Sequence, residues 1–78
     1  MMSRDDYRSA LADLGLSQES VGDLLDTGRR TARRWASGES PVPGPVAMHI
    51  RLWLERPEIL DVVRRIANER DGIRNRSG

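Results

Sequence analysis

Glycine and proline cut this chain into short pieces. Gly15, Gly28 and Gly38 fall at the ends of apolar-periodic stretches, and Pro41, Pro43, Pro45 and Pro57 close off others. No segment between them shows the alternation of a strand. Each instead carries apolar residues three and four apart, the spacing of one helix face. The expected fold is therefore all-α, a five-helix domain. Ser3 is the expected N-cap of helix 1, with Asp5 and Asp6 in its first turn, Tyr7, Ala10, Leu11 and Leu14 inward, and Gly15 as stop. Ser17 caps a short helix 2 with Val21, Leu24 and Leu25 inward. Asp26, Thr27 and Gly28 form a turn of the length that joins two helices at a steep angle. Helix 3 runs from Arg29 to Ser37, with Ala32 and Trp35 inward and Gly38 beyond its end.

Residues 40–44 are expected to be extended, and Pro45 suits the first turn of a helix 4 reaching about Glu55. Val46, Ile50 and Leu54 form one side of it, Met48 and Leu52 another. Arg56 stands before a proline and is disfavoured in helical geometry, so Pro57 restarts the chain as helix 5, with Ile59, Leu60, Val62, Val63 and Ile66. Residues 68–78 hold one apolar residue in eleven and are expected to be a flexible tail. The expected layout is one domain over 1–67, with a helix-turn-helix at 17–37 and helices 4 and 5 over 45–67, then that tail. With 78 residues and no cysteine, one packed core must hold the chain without disulfides or thiolate metal sites, with or without the help of a second copy.

Charge is distributed unevenly. Residues 1–28 carry two Arg against six acids, whereas residues 29–78 carry eleven Arg against six acids. Four of those Arg lie between positions 29 and 34. All thirteen cations are Arg, which a genome favouring Arg codons explains more readily than selection for the guanidinium. The cluster is another matter. A helix N-terminus carries a partial positive charge, so Arg29 and Arg30 are unfavourably placed there, and Arg29 with Arg33 and Arg30 with Arg34 are like-charge pairs four apart. A helix serving stability alone would begin with acids. A basic face at the start of the second helix of such a motif suits the DNA major groove, where Arg can bond guanine O6 and N7 together.

The segment LSQESVGDLLDTGRRTARRWASGE, residues 16–39, resembles the helix-turn-helix of the Cro/C1-type (XRE) repressor family. The likeness rests on Leu16-Ser17-Gln18-Glu19, on Leu24-Leu25, on the turn length, on Thr31, and on Arg34-Trp35 followed by Gly38-Glu39. Asp26 stands where the family usually has a turn glycine, Gly22 where it most often has Ala, and Gly28 where it often has Ser or Thr. Ser40-Pro41-Val42-Pro43 and Arg56-Pro57-Glu58-Ile59-Leu60 more loosely resemble the DNA-binding half of MqsA-type antitoxins and small phage autorepressors.

The resemblance implies a lambda-repressor-like fold and a transcriptional repressor that binds double-stranded DNA as a homodimer on an inverted repeat. It implies base reading by Arg29, Arg30 and Arg34, with Arg33 towards backbone or base, and phosphate contact by Gln18, with Ser17 and Ser37 beside it. Gln18 can equally be a polar residue of the first turn, and Thr31 either a phosphate contact or an inward hydroxyl. Trp35 is expected in the core. The apolar breadth of helices 4 and 5 suggests a dimer interface of Trp53, Ile59, Leu60 and Val63, with a purely intramolecular core as the alternative. His49 is expected at the surface or interface, not as a ligand or base.

An antitoxin or other interaction module, with a toxin as partner, is the alternative. Catalysis is not expected, since there is no Cys, no Lys, a single His and no glycine-rich phosphate loop. Neither metal nor cofactor is expected. No apolar run approaches the roughly 20 residues of a membrane helix, and the charged start is unlike a signal peptide, so a cytoplasmic protein is expected.

Overall fold

A computed structural model describes residues 2–77, with side chains to residue 72. The chain forms five helices: α1 (Arg4–Leu14), α2 (Gln18–Leu25), α3 (Arg29–Ser37), α4 (Gly44–Glu55) and α5 (Pro57–Ser77). Among the described residues there is no strand.

The boundaries follow from local chemistry. Ser3 Oγ accepts from the Asp6 amide at 3.1 Å, and Asp6 Oδ2 accepts in return from the Ser3 amide at 3.5 Å. Two of the donors left open at the start of α1 are thereby satisfied. Gly15 ends α1 in the left-handed conformation, φ 70°, and its amide and that of Leu16 return to the Ala12 and Leu11 carbonyls. Ser17 caps α2 through the Ser20 amide at 3.2 Å. Arg56, at φ −134° and ψ 81°, breaks the chain between α4 and α5, as a residue before proline must.

The core lies between α1 and the two helices packed on it, α3 and α4, closed by α2 against α3 and α5 against α4. Tyr7, Val21, Ile50 and Trp53 are its largest fully buried side chains, surrounded by Leu11, Ala32, Trp35, Ala36, Val42, Val46 and Leu60. The rings of Tyr7 and Trp35 meet edge to face at 6.4 Å.

Two expectations are corrected. Trp53, assigned with Leu60 to a dimer surface, is fully buried within one chain, and Leu60 is buried too. The reason is helical phase. Seven residues turn a helix by about 700°, nearly two whole turns, whereas eight overshoot by about 80°. The inward stripe of α4 is thus Val46, Ile50 and Trp53, and Leu54, expected in that stripe, stays 39% exposed. Ile59 and Val63 are half-buried and pack against the same core. Among the described residues the large apolar side chains left exposed are Met48, Leu52, Leu54, Val62 and Ile66.

The second correction concerns the tail. Helix α5 continues from Ala67, which is buried, through the segment expected to fray, as far as Ser77. Gly78 lies outside the described residues. Polar contacts hold this extension where apolar ones are lacking: Arg70 donates to the carbonyl of Asp23 and, at 3.5 Å, to that of Leu24. These are acceptors at the C-terminal end of α2, where helical carbonyls lack partners and a cation is favoured.

Candidate nucleic-acid interface

The pair α2 and α3 is joined by residues 26–28. Asp26 takes the left-handed conformation, φ 57°, the only described non-glycine residue with positive φ. Asp tolerates this better than most residues, so the turn forms without the glycine often found there. The Thr27 amide closes it onto the Gly22 carbonyl at 3.0 Å. Gly22 explains how closely the pair crosses: a Cβ at that position would lie 2.5 Å from the Gly28 carbonyl oxygen and 3.0 Å from Arg29 Cα. The start of α3 therefore rests directly on the α2 backbone, and alanine does not fit.

Helix α3 is divided sharply. Ala32, Trp35 and Ala36 are buried, while Arg29, Arg30, Thr31, Arg33, Arg34 and Ser37 are exposed. Thr31 thus faces solvent, and the inward alternative for its hydroxyl is removed. Arg30, Arg33, Arg34 and Ser37, with Glu39, line a depression of about 290 Å³. Gly28 stands at the N-cap position with φ 90° and supplies no side-chain cap.

Sequence reasoning found the arginines but missed the carboxylates beside them. Arg29 donates from Nε to Asp23 Oδ1 at 3.2 Å and from Nη2 to Asp23 Oδ2 at 3.0 Å. That pairing holds the Asp23 carboxyl below its ordinary pKa, mainly through the hydrogen bond, and raises that of Arg29. Arg33 lies 3.9 Å from Glu19 and Arg34 3.7 Å from Glu39, looser pairs at an exposed surface where such pairs are weak. The Arg30 side chain makes no hydrogen bond or ion pair among the described residues. A signal was present: acids at positions 19 and 23 sit one turn apart on the helix that precedes the cluster.

The remaining positions separate by what already occupies them. Ser17 Oγ, besides capping α2, lies 2.8 Å from the Ser20 hydroxyl. Ser37 Oγ donates to the Arg34 carbonyl at 3.1 Å and accepts from the Glu39 amide at 3.3 Å, so it finishes α3 from the side chain. Gln18 is half-buried and lines a hollow with Arg8 and Leu16. Its neighbour Glu19 reaches Arg33, which places the start of α2 beside the arginine face.

Elsewhere, His49 is exposed, with Nδ1 2.7 Å from the Pro45 carbonyl oxygen and its ring edge-on to Trp53. Among the described residues no three His, Cys, Asp or Glu side chains gather as metal ligands, and no helix is long and apolar enough to cross a membrane. No family model, curated protein or solved structure matches this chain.

Proposed function

We propose that this protein is a sequence-specific double-stranded DNA-binding repressor of the Cro/C1 type, acting as a homodimer on an inverted repeat. The observation that carries the proposal is the build of α3: three buried residues on one side and four exposed arginines at the start of the other, with no side-chain cap. Such a helix is poorly made for its own stability and well made for a groove lined with acceptors. Arg29, Arg30 and Arg34 reach the base edges, Arg33 lies towards backbone or base, and the start of α2 at Gln18 approaches phosphate. A second copy covers Val62 and Ile66 together with the half-buried Ile59 and Val63, in place of the buried Trp53 and Leu60.

Selection of duplexes from a random library, followed by titration at two salt concentrations, tests this directly. A G·C-containing inverted repeat with half-sites about one helical turn apart is the expected outcome. Binding that selects nothing and vanishes as salt rises would reduce the basic face to an electrostatic patch.

The exposed Met48, at 68%, and Leu54 favour a second reading, a protein-interaction module such as an antitoxin. They line a groove of about 590 Å³ between α1 and α4. A stoichiometric complex with a protein partner that survives high salt, in the absence of any selected DNA site, would put this reading first.

A further inference from the structure

The four arginines of α3 differ in one respect. Arg30, Arg33 and Arg34 make no described hydrogen bond from their guanidinium groups, whereas Arg29 is held by two, both to one carboxylate. The two bonds use Nε–H and one N–H of Nη2, which is one edge of the planar group. A guanidinium has five donors in a fixed fork, so the edge formed by Nη1 and the second N–H of Nη2 remains open. Two parallel donors on that edge match the O6 and N7 acceptors of guanine. The Arg29 side chain is 63% exposed, and no described hydrogen bond occupies that edge.

Asp23 is fixed in turn. Its carbonyl accepts from Arg70, 47 positions later in the chain, and the same guanidinium reaches the Leu24 carbonyl. The Arg70 side chain is only 27% exposed, and its place at the end of α2 satisfies acceptors that the helix leaves open. A line of contacts thus runs from α5, through the last turn of α2 and the Asp23 carboxylate, to the first residue of α3.

We infer that Asp23 is a specificity-determining positioning residue, which presents the open edge of Arg29 to one guanine, and that Arg70 holds Asp23 in place for this. The inference rests on the DNA-binding function proposed above. Its physical content is pre-organisation. A free arginine must lose rotamer freedom to read a base, and a wrong base can be met by another rotamer. A guanidinium already fixed along one edge loses less on binding and adapts less to the wrong acceptor pattern. Guanine preference at the Arg29 step should therefore depend on Asp23, although Asp23 touches no base.

The test uses the full chain, the duplex selected above and variants of that duplex changed at single base pairs. Arg29→Ala identifies the step, as the one at which a guanine preference of about 10-fold or more is lost. Asp23→Asn, which keeps the shape and removes the charge, is expected to reduce preference at that same step to within about 3-fold and to leave every other step as it was. The double variant is expected to be no worse than Arg29→Ala. Arg70→Gln should weaken preference at the same step by a smaller factor. Thermal melting shows that each variant is folded, and Asp23→Ser replaces Asp23→Asn if the latter is not.

An Asp23→Asn protein with undiminished guanine preference overturns the inference. So does one that loses affinity equally on every duplex, since that is the mark of a merely structural contact. Uniform loss in Arg70→Gln removes Arg70 from the line of contacts. A wild-type chain with no preference at any step instead overturns the DNA-reading function itself, so the two failures are distinguishable.

Discussion

Helices α1 and α3 press against each other through Tyr7 and Trp35, yet their first turns follow opposite rules. α1 begins with a reciprocal Ser3–Asp6 cap and places Asp5 and Asp6 where the helix dipole favours acids. α3 begins with a glycine that caps nothing from its side chain and places two arginines where the dipole disfavours cations. The first helix is stabilised by its own residues. The second is stabilised by its surroundings: the α2 backbone at Gly22, the Asp23 carboxylate and the core beneath Trp35. Of its surface arginines, Arg29 is bonded to that carboxylate, Arg33 and Arg34 have only loose exposed pairs, and the Arg30 side chain has no hydrogen bond or ion pair among the described residues.

The largest effect that would break this contrast is expected at Gly22. Alanine in a helix interior ordinarily gains about 1 kcal/mol over glycine. Here its Cβ would meet backbone at 2.5 Å, so Gly22→Ala should destabilise the domain by about 3 kcal/mol or more in urea unfolding followed by circular dichroism. An unchanged midpoint would mean that α3 does not depend on close approach.

Tyr7 is the next test, because it sits at the junction of the two helices. Burial raises its pKa from 10.0 to about 12, and its hydroxyl has no hydrogen-bond partner among the described residues. The folded state favours the protonated phenol, so its contribution is complete below pH 10 and lost as pH rises towards 12. Stability should fall by about 2–3 kcal/mol over that window. Tyr7→Phe should abolish this dependence, and loss of the unpartnered hydroxyl should leave stability near pH 7 equal or slightly higher. An alkaline transition that persists in Tyr7→Phe would assign it to another group.

Ser3→Ala should cost about 1 kcal/mol, with DNA affinity unaltered, as measured by parallel melting and titration. The smallest change sharpens the contrast most. Arg30→Glu gives α3 the acid that its dipole favours and should raise stability by about 0.3–1 kcal/mol while abolishing DNA binding. If both quantities fell together, Arg30 would serve the fold and not a ligand.

Much of the architecture could be read in the residues because it is encoded locally. Ser3, Ser17, Gly15, Gly38 and Pro57 set boundaries through contacts with chain neighbours, and the inward sides of α1 and α3 follow from spacing alone. What escaped were decisions made over distance. Trp53 and Leu54 are adjacent, and which of them enters the core depends on the phase of α4 against α1 and α5. The extension of α5 past Ala67 depends on one arginine finding the carbonyls of another helix, and apolar periodicity carries no trace of such a contact. The arginine cluster itself was legible, but Asp23, six positions before Arg29, becomes its partner only when the turn brings α3 back over α2.

The Arg70 contact also orders assembly. α2 and α3 meet across a turn of three residues, so their pairing needs little loop closure. Arg70 returns to Asp23 over 47 positions, and the entropy of closing a loop grows with its length. The latch is therefore expected to form after the motif it secures and to open before it. Amides in the last turn of α2 should exchange with solvent by a local opening, well before the amides around Tyr7 and Trp35, whose exposure requires the whole domain to come apart.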